Sequence, residues 1–205
     1  MNDYTMWFSI DKKILGYKLV VCVAYIPPTN SDYSKLGMFD MIEDQYIEHC
    51  SEHSEFFLVG DFNARTGLLN DTFFLEQSCS VIDEDDTFLR DKLESESAFW
   101  SYDVPLQRYN QDKTVNSYGE RLIGLCKNLG IYVVNGRFGS EKGIGSFTCD
   151  GRSVVDYVCC SPKVMGNIIE FEICDYNALF SDKHNAISMI LNGVNNGTHA
   201  QKSSN

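Results

Sequence analysis

The sequence predicts a mixed α/β domain, and three observations carry that prediction. A nearly continuous apolar run, Tyr17 to Tyr25, is followed by helical spacing and then by a second short apolar run, Phe56 to Val59. This is strand–helix–strand, the unit of sheets covered by helices. Ser117 and Glu120 form an S-x-x-E cap ahead of Leu122, Leu125, Cys126 and Leu129, with Gly130 as the stop and an apolar run from Ile131 to Val134 beyond it. Finally, Asp150-Gly151 separates two β-like runs, 146–149 and 154–160, which is hairpin chemistry.

Taken in order, Met6 to Ile10 reads as a strand, turned by Asp11-Lys12-Lys13 near Gly16 into the central strand that ends at Pro27-Pro28. A helix is expected from Ser31 or Asp32 to about Cys50, with Leu36, Phe39, Ile42, Tyr46 and Ile47 as its buried stripe. From Leu68 to Thr114 the periodicity is poor, so loops with at most one short helix are expected. The acidic stretch of Asp83, Glu84, Asp85, Asp86, Asp91, Glu94 and Glu96 reads as a solvated loop. Ile168 to Cys174 and Ala186 to Leu191 are the closing strands. Residues 1–192 are therefore expected to form one domain, and 193–205, rich in Asn, Gly, Ser and Thr, a frayed polar tail.

Composition bounds the function. At 205 residues, 43% apolar and 22% charged, the chain has enough material for a full core. No apolar run approaches the roughly 20 residues of a membrane span, and Met1 to Asp11 has no apolar segment of a secretory signal. The eight cysteines contain no C-x-x-C pair, so they are expected to be intracellular thiols, not zinc ligands. A net charge of −12 implies that any contact with nucleic acid is weak, since such contact rests on Lys and Arg against phosphate.

The run Glu55-Phe-Phe-Leu-Val-Gly-Asp61-Phe-Asn63-Ala is a buried strand breaking into turn residues, presenting a carboxylate and a carboxamide at its tip. Asp156, set among Val154, Val155, Tyr157 and Val158, is an acid in an apolar strand and requires a partner. With Ala24-Tyr25-Ile26-Pro27-Pro28 upstream and Ser181-Asp182-Lys183-His184-Asn185-Ala186-Ile187 downstream, these motifs resemble the endonuclease/exonuclease/phosphatase superfamily. Within it they look most like the endonuclease domains of LINE-type retrotransposons, over Trp7 to Leu191.

The resemblance implies a four-layer α-β-β-α sandwich (DNase I-like), of which this chain would carry the second sheet complete and the first partial. The family's first-half Asn and metal-binding Glu find no counterpart before Tyr25, because no Glu precedes Glu43. An exposed apolar patch is expected where the second sheet lacks its partner. The implied activity is Mg²⁺- or Mn²⁺-dependent phosphodiester hydrolysis of DNA. In it, Asp61 acts on the attacking water and Asn63 and Tyr25 donate to phosphate oxygens. His184, steadied by Asp156, acts at the scissile phosphate. Arg65 and Arg137 would bind substrate and Asp182 would neighbour the metal, although Lys183 is an insertion in that motif. The implied location is intracellular, nuclear if genomic DNA is the target. A phosphomonoesterase and a non-catalytic remnant remain as alternatives.

Overall fold

A computed structural model describes residues 4–34, 37–51, 53–73, 96–97, 99–102, 104–179, 181 and 183–194. Its centre is a five-stranded sheet in the order β1-β2-β3-β5-β4, and β6-β7 form a second, two-stranded sheet that packs against one of its faces. The strands are β1 (Thr5–Ile10), β2 (Lys18–Tyr25), β3 (Ser54–Asp61), β4 (Tyr132–Val133), β5 (Asp156–Cys160), β6 (Ile168–Ile173) and β7 (Ile187–Leu191). The helices are α1 (Lys12–Leu15), α2 (Met38–His49), α3 (Ser117–Leu129) and α4 (Pro162–Met165). β2 and β3 run parallel, joined through α2, while β5 lies antiparallel to β3.

Alternation along the strands divides the core in two. Val20, Cys22 and Ala24 of β2, Phe56 and Leu58 of β3, and Tyr157 and Cys159 of β5 face α2 and α3, meeting Phe39, Ile42, Leu122 and Cys126. The intervening residues, among them Leu19, Val21, Phe57, Val158 and Cys160, face the opposite way and meet Phe171 and Ile173 of β6 and Val164 and Met165 of α4. Each large side chain withdrawn from water here contributes about 1.5–3 kcal/mol. The middle of β3, Phe56 to Leu58, is buried on both faces, which is why the run Phe56 to Val59 is continuously apolar.

Several boundaries differ from the sequence expectations, each for a local reason. The second helix starts at Met38, because Gly37 adopts φ 97° as its N-cap and cannot continue the helix backward. The cap of α3 is Asn116, whose side chain accepts from the Gly119 amide, so the S-x-x-E pattern sits one residue late. Residues 146–149 form no strand. The Asp150-Gly151 turn is present, with φ 55° and 61°, but it closes only a single bridge between Cys149 and Ser153. The Lys12–Leu15 turn is helical, capped by Asp11. Of the acidic stretch, Glu96 is fully buried and accepts the Phe73 amide, so it is not solvated. Residues 83–94 lie outside the described residues, as does the polar tail beyond 194. The apolar patch expected on the open face of the sheet is not found over β2, β3 and β5, which β6 and α4 cover there. On that sheet edge strand β1 leaves large apolar side chains exposed, Met6 at 59% and Phe8 at 46%.

Candidate functional site

The strand register builds the site. Tyr25 pairs with Asp61 across β2 and β3, and Asp61 pairs with Asp156 across β3 and β5. Paired residues on neighbouring strands point to one face, so the three side chains form a row where β2 and β3 end and β5 begins. Gly60, at φ 153°, allows the row to form. A Cβ there would lie 1.8 Å from the Ala24 carbonyl oxygen, so only glycine lets β2 and β3 stay in contact one step before Asp61. Phe62, fully buried, then anchors the chain through its amide to the Val155 carbonyl at 3.0 Å.

Asn63, in the left-handed region at φ 47°, closes an Asx-type turn on Asp61. Its amide nitrogen donates to Asp61 Oδ1 at 2.9 Å, and Nδ2 donates to Asp61 Oδ2 at 3.2 Å and to the Ile26 carbonyl at 2.9 Å. The carboxamide donors are thus used within the fold, and Asn63 positions Asp61 where the sequence suggested a direct contact with phosphate. Burial, opposed by the bonds from Asn63 and the nearby His184 and helped by the Asp156 charge, raises the Asp61 carboxyl to about 6.

His184 enters from the loop before β7. Its amide donates to Ser181 Oγ at 2.9 Å, and its backbone bridges Cys149. Flanking bonds from Asp150 N to the Lys183 carbonyl (2.9 Å) and Asn185 N to the Thr148 carbonyl (2.8 Å) hold the two loops together. The ring Nδ1 lies 2.9 and 3.0 Å from the two Asp156 oxygens. With Nδ1–H donating to Asp156, the ring lone pair is on Nε2, 3.7 Å from Cys149 Sγ. Asp156 is also raised, chiefly by burial, with Thr148 and His184 opposing. The Thr148 hydroxyl accepts the amides of Val155 and Asp156, which fixes the start of β5.

Ligand atoms of Asp61, Asp156 and His184 all lie within 4.8 Å of one another, so these three residues could hold a divalent cation. Two acids raised chiefly by burial, Asp61 also by the Asp156 charge, are the donors a cation would stabilise. Beside them runs a groove of about 370 Å³ lined by Asp150, Gly151, Tyr176, Lys183 and Asn185.

Of the other sequence candidates one joins the row, and the two arginines do not. Tyr25 is in the row and half exposed. Arg65 is bound on two atoms by Asp112, at 2.7 and 2.6 Å. Arg137 is 1% exposed, with Asp71 on both terminal nitrogens at 2.7 Å and the carbonyls of Pro105, Leu106 and Val133 taking its remaining hydrogens. Its guanidinium is consumed inside the fold and cannot reach a substrate from there. Asp182 lies outside the described residues. Thr148 and Cys149 were not singled out from the sequence, since Ser-Phe-Thr-Cys read as plain strand.

Among the described residues no helix is long and apolar enough to cross a membrane. No protein-family model matches the chain, and no curated protein does. Among solved structures, it is similar to the endonuclease domain of TRAS1, a telomere-specific non-LTR retrotransposon, with a TM-score of 0.53 and 15% identity. The match covers 91% of this chain and 61% of that one. At this identity the likeness shows an endonuclease-like α/β fold.

Proposed function

We propose that this chain is a retroelement-type member of the endonuclease/exonuclease/phosphatase superfamily that hydrolyses phosphodiester bonds in DNA with the help of Mg²⁺ or Mn²⁺. The observation that carries the reading is the Asp61–Asp156–His184 cluster at the strand tips, with the Asp156 carboxylate on Nδ1 of His184. In this reading the five-stranded sheet is the second sheet of a four-layer sandwich, and the β6-β7 pair belongs to the first. A metal held by Asp61 and Asp156, beside His184, would supply charge neutralisation at a phosphate oxygen.

The residues do the rest. Asp61, aimed by Asn63, orients the attacking water and takes its proton, since an acid near 6 is a usable base at neutral pH. His184 holds or returns a proton at Nε2, its tautomer set by Asp156. The Tyr25 hydroxyl, half exposed at the end of the row, donates to a phosphate oxygen. Lys183 and Asn185 in the adjoining groove approach the DNA backbone. Asp182, two residues before His184 and outside the described residues, is carried as a candidate carboxylate for the metal on the motif alone. The net charge of −12 makes DNA contact brief and sensitive to salt. Acting on genomic DNA would place the chain in the nucleus.

A non-catalytic reading is favoured by one observation: the apolar side chains Met6 and Phe8 on β1 are exposed. Nicking of supercoiled plasmid with Mg²⁺, compared with Asp61→Ala, decides between the two. The nuclease reading expects the variant to lose about 10²–10⁴ in rate. Equal background from both proteins ends it. Release of inorganic phosphate from soluble esters, without nicking, would point to a phosphomonoesterase.

A further inference from the structure

The turn that aims Asp61 is held from outside by the start of α3. A helix N-cap needs one acceptor for an exposed amide, and Ser, Asp and Asn supply it about equally well. Asn116 does this with Oδ1, which accepts the Gly119 amide at 2.7 Å. The same oxygen accepts the Arg65 amide at 2.9 Å, and the Asn116 amide donates to the Arg65 carbonyl at 3.0 Å. The other half of the carboxamide does something no cap requires: Nδ2 donates to the Asn63 carbonyl at 3.0 Å. With two N–H groups against one end and a carbonyl against the other, a single orientation of this amide satisfies all three partners.

Gly119 brings the helix close enough for that reach. A Cβ there would lie 2.0 Å from the Arg65 carbonyl oxygen, so α3 begins directly on Arg65 and Thr66. Asn63 is in the left-handed region at φ 47°, a conformation that persists only where the surroundings hold it. Held so, its amide and Nδ2 reach the two carboxylate oxygens of Asp61.

We propose that Asn116 is a positioning residue for Asp61, acting through Asn63: Oδ1 caps α3 while the Nδ2 donor locks the turn that aims the carboxylate. Among the good capping residues only asparagine carries acceptor and donor on separate atoms. Aspartate would set a second oxygen against the Asn63 carbonyl, and serine has one atom for both tasks. The effect on rate rests on the nuclease reading; the effect on the turn does not.

The test is amide hydrogen exchange of the full chain, followed residue by residue by NMR, with plasmid nicking scored beside it. Asn116→Asp and Asn116→Ser both keep a cap acceptor and lose the donor, the first with an added charge and the second without. In the unaltered protein the Asn63 and Arg65 amides should exchange at least about tenfold more slowly than in an open chain. In both variants Asn63 should lose about tenfold or more of that protection, while the Gly119 amide keeps its own. The kcat for nicking should fall about 10–100-fold with KM within about twofold, because a small misplacement is felt in the chemical step.

Open-chain exchange at Asn63 in the unaltered protein would overturn the proposal, and that outcome needs no variant to fold. Unchanged protection of Asn63 in a folded variant would do the same. So would joint loss of protection at Asn63 and Gly119, the mark of a helix cap and nothing more. The expected exchange pattern in a protein that does not nick would support the clamp and sink the nuclease reading alone. Nicking by the unaltered protein with kcat unchanged in both folded variants would sink the positioning role alone.

Discussion

Two clusters of charge are buried in this molecule, and they are built to opposite ends. At Arg137 and Asp71 every hydrogen-bonding edge is met. Burial alone would raise the Asp71 carboxyl, but the guanidinium charge and its hydrogen bonds outweigh that and hold it below the usual range. At the strand tips the balance runs the other way. Asp61 and Asp156 are also partly buried, but there the Asn63 donors and the His184 imidazole do not outweigh burial, and both are raised. A satisfied pair is scaffold; an unsatisfied one is where a metal, a proton or a substrate has something to gain. The difference separates the two residues, Arg137 and Asp61, that the sequence offered side by side as site candidates.

The two clusters should respond differently to mutation. The largest effect is expected at the scaffold. Arg137→Met leaves the Asp71 charge buried alone and should cost about 3–5 kcal/mol in urea unfolding, much of it recovered by adding Asp71→Leu. A loss under 1 kcal/mol would show that the pair is not closed as described.

Next is Asp61→Asn. It should abolish nicking by about 10²–10⁴ while making the fold more stable at pH 7, by about 1–2 kcal/mol once partial exposure is allowed for. The sign follows from linkage. Asp61 holds its proton more tightly folded than unfolded, so its ionisation weakens the fold as pH rises from about 4 to about 6. Asp71, with its lowered value, contributes stability that is lost as pH falls through the acid range. Asp61→Asn should therefore flatten the first limb of the pH–stability curve and leave the second intact. Equal stability of variant and parent from pH 4 to 7 would refute the unbalanced charge.

Arg65→Ala is expected to cost less, about 1–2 kcal/mol in the same unfolding assay, because Asp112 keeps the amides of Thr114 and Val154. Smallest is Tyr25→Phe. The half-exposed hydroxyl should matter only in the transition state, lowering nicking up to about tenfold with stability unchanged within about 0.5 kcal/mol.

What the sequence revealed and what it hid follow from distance along the chain. Asp61 was legible because the strand that carries it and the turn that aims it are adjacent residues. Asp156 was legible because an acid amid valines has to find a partner. Their pairing with His184 was read through the motif order, and the register row of Tyr25, Asp61 and Asp156 gives it geometry. Arg137 could not be placed. Its partner Asp71 lies 66 residues away in a stretch without periodicity, and nothing local marks a loop arginine as inward-facing. Cys149 was missed for a similar reason. Cysteine spacing rules look for ligands close in sequence, whereas this thiol meets a histidine 35 residues on, through a bridge between two loops. Helix limits at Gly37 and Asn116 moved because backbone φ and a side-chain cap decide them, and composition does not.

The central claim, that the strand-tip acids are left in want of a cation, is most directly tested by following the Asp61 carboxyl carbon by NMR as pH is varied, without metal and with Mg²⁺. The account predicts a midpoint near 6 in the metal-free protein, moving well down when Mg²⁺ is present. A midpoint near 4 that ignores the metal would contradict it.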